Sequence, residues 1–542
     1  MSPADRQRAG AAPVRTQGAQ GADRKAAPRA VRASGCAEAP AGAPPNGSAA
    51  AASRLMVSAG SSSAGKTTVT VALLSALAAR GLDVAALKSG PDYLDPLFHE
   101  RVCGHPARNL DLFMLGAAGA RRLLARSVPA QGVAVIEGAM GLYDGVAGGD
   151  ECSSWHLAAL TRTPVVLVVD GRGRALSAAA EVLGHQRLRD PSMIAAVIVN
   201  RCTAGFFPTL KELIERECGV PVAGFLPALP EAALPARHLG LVPPDEVEGL
   251  AARVRALGEA AARTIDLDLL LGIARAAGPV PPSDCAPARA DRGVAGEAPE
   301  PERASGSPAP ARPGPEGVAN GEGPGAGAVV AVARDDAFCF YYADALEELE
   351  RQGCRLAFFS PLADEGLPAG ASGLYLGGGY PELHARRLAA NASMLDAVRA
   401  AATRGMPLIA ECGGFLYLHR RLQDAEGAWH ELAGVVDGSA WRRTRKSARF
   451  GYVRLHASAD SLLFRVREPV PAHEFHYWES DCAGGDLVAR KPRSERSWPC
   501  GHADRVGYAG FPHLNLAGDV RLARRFAAAC VAFARGGSER LR

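Results

Sequence analysis

GSSSAGKTTVT, Gly60 to Thr70, decides how the first half of this chain folds. Gly60 to Thr67 fit the pattern G-x-x-x-x-G-K-[ST] in full. The pattern has meaning only where a strand precedes it and a helix follows. Both are expected here. RLMVSAG is a continuous apolar run, the form of a strand buried on both faces. TTVTVALLSALAARG has helical apolar spacing and a stop at Gly81. A loop so placed turns backbone N–H groups and a helix N-terminus toward phosphate oxygens. Lys66 is then expected on the β and γ phosphates of ATP, and the Thr67 hydroxyl on magnesium. Gly60, Ser61, Gly65 and Thr68 complete the expected ATP-binding loop. A Gly/Ser turn that merely caps a helix is the plainer alternative, and motif and context together disfavour it.

The same half holds four more strand-like runs: DVAALKSG, GVAVIEG, TPVVLVVDG and IAAVIVNR. Strands alternating with helices predict a doubly wound α/β domain, whose ligands bind at the C-terminal strand ends. Lys88 ends the second run, with Asp92 and Asp95 following in KSGPDYLDP. Glu137 ends the third, with Asp144 following in EGAMGLYDG. Magnesium takes oxygen ligands, commonly one or two carboxylates beside phosphate and water. Glu137 and an aspartate are candidates, though each alone reads equally well as a cap or a surface charge. The chain has only six lysines against 55 arginines, and two of the six are Lys66 and Lys88.

In the second half AVVAVAR, CRLAFFSP, GLYLGGGYP and PLIAECGG again look like strands. MPLIAE runs into Cys412, then Gly413 and Gly414, then the helix-like FLYLHRRL. This is the strand–turn–helix form of a nucleophile elbow. A helix N-terminus favours a thiolate. The Gly413 N–H, with Gly378 from LGGGYPE, is the expected oxyanion hole. The plainer reading is a buried inert cysteine, which leaves the flanking glycines unexplained. A cysteine nucleophile needs a base, and 13 histidines are on offer.

Length and composition bound the rest. The 542 residues suggest two or three domains. A net charge of +4 is too small to argue for a nucleic-acid partner. No run of 18 apolar residues occurs, so no membrane span is expected. Twelve cysteines without a CxxC pair disfavour zinc and a disulfide framework, and a reducing cytoplasm is the expected location. Residues 1–52, rich in Ala, Pro, Gly and Arg, are expected to be a disordered extension rather than a signal or transit segment. Residues 276–327 read as a Pro/Gly/Ala-rich linker between domains at 53–275 and 328–540. One domain would activate a carboxylate with ATP, the other release ammonia from glutamine with a thiolate. The coherent pairing is an amide-forming synthetase fed by a glutaminase.

The chain resembles the cobyrinic acid a,c-diamide synthase family of the cobalamin pathway. GSSSAGKTTVT, LKSGPDYLDPLFHERVCGHPARNLDLFM, VIEGAMGLYDG, VPVAGFLP, ARHLGLVPPDE, AFCFYYADALEELE, FFSPLADEGLP, GLYLGGGYPELHA, ECGGFLYL and HEFHYWES carry the resemblance. It implies an α/β fold: a P-loop doubly wound synthetase domain, then an α/β class I glutamine amidotransferase domain. It implies ATP and L-glutamine as co-substrates, Mg2+ as cofactor, and a corrinoid whose a and c carboxylates become amides. It makes Cys412 the glutaminase nucleophile and His513 the histidine that activates it. It puts Asp92, Tyr93, Leu94, Asp95, Glu137 and Asp144 in or near the synthetase site, with Thr67, Asp92 and Glu137 toward the metal. Lys88 resembles a phosphate-contacting lysine of dethiobiotin synthetases, and Asn200 and Arg201 resemble the nucleotide-base side. A homodimer is the expected assembly.

There are departures. Many triad amidotransferases carry a glutamate two residues after the histidine, where this chain has Asn515. His473-Glu474-Phe475-His476 invites a metal reading but is not H-E-x-x-H, and is expected to be structural or part of an interface. The basic run WRRTRKSARFGY, Trp441 to Tyr452, is expected to be solvated surface. The alternatives in the same class differ in ring: hydrogenobyrinate, nickel-sirohydrochlorin, or the other amidation sites used by cobyric acid synthase. A P-loop switch ATPase is the alternative from another class. Such switches carry a second lysine early in the loop, where this chain has Ser61, and they give no reason for Cys412.

Overall fold

The computed structural model describes residues 52–237, 240–241, 244, 247–282, 323–443 and 449–536. Nearly all of the expected extension 1–52, and most of the expected linker 276–327, lie outside the described residues. In the first half β1 (Arg54–Ala59) leads through the phosphate loop into α1 (Lys66–Ala79). Then come β2 (Val84–Ser89), α2 (Leu94–Cys103), β3 (Arg108–Leu110), β4 (Val133–Glu137), β5 (Val165–Asp170), β6 (Ile194–Asn200) and β7 (Val222–Leu226). They form one sheet in the order β3-β2-β4-β1-β5-β6-β7, parallel throughout. Met56, Ile136 and Leu167 face one core; Leu55, Val57, Val135 and Val166 face another. Burial on both faces is why these strands read as unbroken apolar runs.

The sheet has seven strands where sequence reading expects five. β3 has three residues, too few to make a run. β7 is interrupted by Gly224, where a Cβ would lie 2.2 Å from the Thr264 carbonyl oxygen. Glu137 therefore ends the fourth strand rather than the third. The strand order gathers the C-terminal ends of β1, β2 and β4. Lys88 is in register with Glu137, and Glu137 with Val57.

The second half is built on a parallel sheet ordered Arg355–Phe359, Val329–Ala333, Gly373–Leu376, Leu408–Glu411 and Gly507–Gly510. His502–Ala503 adds an antiparallel edge. A second, antiparallel sheet runs Ser497–Cys500, Leu487–Arg490, Arg449–Ala457, Val470–His476 and His513–Leu514. It puts His473 opposite His513. The helix expected over FLYLHRRL stops at Tyr417, and His419–Gln423 is a strand beside Val436–Arg442. The buried His419 ring contacts the Phe415 carbonyl and the Ser480 hydroxyl, while Arg420 and Arg421 are exposed. Strand pairing overrides the local pattern there. Among the described residues no helix is long and apolar enough to cross a membrane.

Candidate functional site

The phosphate loop is held from behind. Asn200, at the end of β6, donates from Nδ2 to the Ala64 carbonyl at 2.9 Å. Gly65 has φ +95°, and a Cβ there would lie 2.0 Å from Asn200 Nδ2. Both facts demand glycine. Arg201 reaches the Ser63 carbonyl and lies 3.6 Å from Asp170. Lys66 donates to the Ser61 carbonyl at 2.9 Å, and Thr67 and Thr68 line the cavity beside it. At Gly60 a Cβ would meet the His185 ring at 2.8 Å. Gly65→Ala should therefore distort the loop without unfolding the domain. Nucleotide affinity is expected to fall about 100-fold or more, since 1.4 kcal/mol of strain is already tenfold. Equilibrium binding of a fluorescent ATP analogue, alongside circular dichroism, checks this.

Next to the loop lies a buried charged cluster. Lys88 Nζ donates to Asp95 Oδ2 at 2.5 Å and to Glu137 Oε1 at 2.9 Å. Glu137 Oε1 also accepts from the Thr67 hydroxyl at 2.6 Å, and Oε2 meets His99 Nε2 at 2.8 Å. Burial would push the Glu137 carboxyl up; Lys88 and His99 override it and hold it below the usual carboxylate range. Lys88 is held above its usual range: burial opposes this, but Asp95 and Glu137 prevail. Lys66 is lowered to about 8, by burial first and then the charge of Lys88. Asp95 is pushed upward by burial, then by Asp92 and Glu137, against Lys88.

Asp92 Oδ1 accepts the N–H groups of Leu94 and Asp95, so it caps α2 while lining the cavity. Asp144 stands outside the cluster: its Oδ2 accepts the Gly141 N–H at 2.8 Å and braces that turn, although its charge reaches Lys66. Sequence reading does not single out His99. It lies four residues after Asp95, on the same face of α2, but that spacing does not name its partner Glu137, 38 residues away. The donor chemistry suits a hard divalent cation, since the Thr67 hydroxyl and a Glu137 carboxylate oxygen are adjacent at the loop.

In the second half Cys412 has φ +48° and ψ −100°, a strained conformation at the tip of the Leu408–Glu411 strand. The turn is close-packed. A Cβ on Gly414 would lie 2.1 Å from the Leu376 carbonyl oxygen, and one on Gly413 2.9 Å from Gly379 N and 3.3 Å from Gly378 C. Gly378 and Gly413 are thus neighbours at the elbow. The Cys412 thiol lies 3.8 Å from the Phe475 carbonyl. His513 is buried against the thiol. Burial alone would lower its pKa, but interaction with Cys412 and then Glu411 pushes it up to about 9. His473 is lowered to about 3, by burial and then by His513. On the same strand Glu474 turns the other way and meets His476 Nε2 at 2.8 Å and Trp498 Nε1 at 3.2 Å. Of the basic run, residues 444–448 lie outside the described residues; Arg443 pairs with Glu479, and Phe450 lines the cavity.

One cavity of about 800 Å3 extends from the phosphate loop to His513, while Cys412 itself does not line it. Lys66, Lys88 and Glu137 line it on one side; Phe340, His473 and His513 on the other. Tyr93 stands between. Its ring is 5.1 Å from that of Phe340, 4.6 Å from Tyr342 and 5.1 Å from His513. Sequence reading placed Tyr93, Leu94 and Asp95 near the first site but gave no hint of this contact with the second.

Residues 55–242 match the CobQ/CobB/MinD/ParA nucleotide binding domain, and residues 329–495 match the CobB/CobQ-like glutamine amidotransferase domain. The cobyrinate a,c-diamide synthase of Caldanaerobacter subterraneus subsp. tengcongensis is 36% identical over 483 residues, 89% of this chain and 99% of that protein. That of Salmonella typhimurium is 38% identical over 465 residues, 84% of this chain and 93% of its own. The hydrogenobyrinate a,c-diamide synthase of Thermobifida fusca is 39% identical over 486 residues, 88% of this chain and 96% of its own.

Proposed function

Because the chain belongs to the cobyrinate a,c-diamide synthase family, we propose that it amidates the a and c carboxylates of cobyrinate, using ATP and glutamine. ATP transfers its γ-phosphoryl group to a ring carboxylate, giving an acyl phosphate and ADP. His513 takes the Cys412 proton, and the thiolate attacks the side-chain carbonyl of glutamine. The C–N bond breaks as His513 returns a proton to the leaving ammonia, and water hydrolyses the glutamyl thioester. Ammonia then attacks the acyl phosphate, whose C–O bond breaks as phosphate leaves.

Lys66, Lys88 and the N–H groups of Gly60 to Thr68 bind phosphate in this reading, and Asn200 fixes the loop. Thr67 and Glu137, with Asp92, would hold Mg2+, which neutralises charge on the phosphate oxygens when bound. Gly378 and Gly413 N–H groups receive the oxyanion. Tyr93, Leu94 and Asp95 face the ring carboxylate, and Asp144 supports the loop next to Lys66. A cytoplasmic location and a homodimer belong to the same reading.

The observation that carries it is the single cavity lined by Lys66, Glu137 and His513, with Tyr93 touching both sites. Ammonia released beside His513 would enter the cavity that Lys66 and Glu137 also line. The test offers cobyrinate, hydrogenobyrinate and nickel-sirohydrochlorin separately, with ATP, Mg2+ and glutamine, and reads the ring product by mass spectrometry. Cobyrinate is expected to gain two amides; ATP consumption with no ring amidated would refute the reading. Hydrogenobyrinate is the second reading, favoured by the 39% identity to the Thermobifida fusca protein.

A further inference from the structure

We propose that Glu411 is the positioning carboxylate of His513 and takes the part of the third triad member that Asn515 does not supply. The inference rests on the glutaminase reading of Cys412 and His513. Asn515 is turned away from the dyad. Its Nδ2 donates to Asp344 Oδ2 at 3.1 Å, and its Oδ1 accepts the N–H groups of Ala517 and Gly518. His513 Nδ1 is fully buried and makes no hydrogen bond. The carboxylate it faces is Glu411 Oε2, at 3.7 Å. An imidazole that must accept a proton in a dry site needs a counter-charge on its far side.

Glu411 is built for that place. It is the last residue of the strand that delivers Cys412, and it is only 2% exposed. Its Oε1 accepts the Leu514 N–H at 2.9 Å, which ties it to the residue after His513. Its Oε2 accepts the Tyr375 hydroxyl at 3.2 Å and has one side left for the imidazole. A carboxylate bonded this way cannot swing to another partner. The 3.7 Å gap is long for a hydrogen bond, but catalytic contacts are often long before substrate binds. With Nδ1 toward Glu411, Nε2 is the nitrogen left for the thiol. The proton then moves from Cys412 Sγ to Nε2 and later to the leaving ammonia, while Glu411 stays ionised. The other titratable groups facing His513 are Cys412, His473 from the antiparallel sheet and Tyr93 from the first half.

The test is glutamine hydrolysis by the full chain carrying Glu411→Gln or Glu411→Asp, with melting temperature as the folding control. Glutamine retains the Leu514 contact but not the charge. For Glu411→Gln, kcat is expected to fall about 100-fold or more, while the KM for glutamine changes little. The limb of the kcat profile belonging to His513 should move to lower pH, because the imidazolium loses its counter-charge. Glu411→Asp, which keeps the charge, should recover part of both. The identity of the base is checked separately by His513→Ala: hydrolysis that survives this change refutes His513 as the base, and with it the part proposed for Glu411. If the glutamine variant is insoluble, the aspartate variant decides alone, through an intermediate limb shift. A folded Glu411→Gln with wild-type kcat, or folded variants whose pH limb stays in place, would overturn the proposal.

Discussion

Cys412→Ala is expected to make no product from glutamine and still to make product from ammonium salts. Loss of a covalent nucleophile in a comparable hydrolytic site costs about 10^6 in kcat, so the glutamine-driven reaction should fall below detection. The ammonium-driven reaction needs only the phosphate loop and the charged cluster. Those groups sit on the strand ends of the first sheet, and Cys412 is on the second. The change is also structurally small. Cys412 is 8% exposed, its N–H bonds the Gly510 carbonyl through the backbone, and removing the sulfur touches neither that bond nor the tilted ring contact of Tyr93 with His513. The measurement is ring amidation by mass spectrometry, with glutamine or with ammonium chloride at a pH that supplies free ammonia. Loss of both activities in a variant with unchanged melting temperature would mean that the thiol serves the synthetase as well and that the two sites do not have separate roles.

Which parts were legible beforehand follows from how far each interaction reaches along the chain. The phosphate loop and the elbow are local: a strand, a glycine-bearing turn and a helix within a dozen residues. Lys88 and Glu137 were legible because each ends an apolar run, and parallel strands bring their ends together. His99 and Glu411 were not. Each is one polar residue beside a more conspicuous one, and its meaning comes from a partner far off: Glu137 for His99, and Leu514, 103 residues away, for Glu411. The antiparallel sheet was missed for a related reason. HEFH alternates between a face on the cavity and a face on Trp498, so it carries polar groups on both sides and gives no apolar period. The contact of Tyr93 with Phe340, Tyr342 and His513 spans about 250 to 420 residues of chain; no local pattern encodes it.

Glu137→Gln should lower ring amidation about 100-fold or more, equally with glutamine and with ammonium, the range found for loss of one preorganised electrostatic group. The reason is the sharing at this carboxylate. Oε1 takes both Lys88 and the Thr67 hydroxyl, and Oε2 takes His99. Glutamine keeps one acceptor oxygen but presents an amide N–H2 on the other side and carries no charge. If the oxygen stays toward Lys88, the amide faces His99, which must then accept; if it turns, two donors confront Lys88. In either case Asp95 is the one carboxylate still bonded to Lys88, beside the Gly138 carbonyl at 3.3 Å, and the ammonium is expected to be drawn from the loop. Breaking a buried ion pair costs about 3–5 kcal/mol when one charge is orphaned. Asp95 remains, so the loss of stability should be smaller, and a calorimetric melting curve will separate it from the loss of activity. Glutamine hydrolysis by the same variant is the internal control, because Cys412 and His513 are untouched and should retain turnover. Full amidation with free ammonium would take Glu137 out of the synthetase site. Loss of amidation with hydrolysis intact would set the charge of Glu137, more than its shape, as what the phosphate end of the cavity requires.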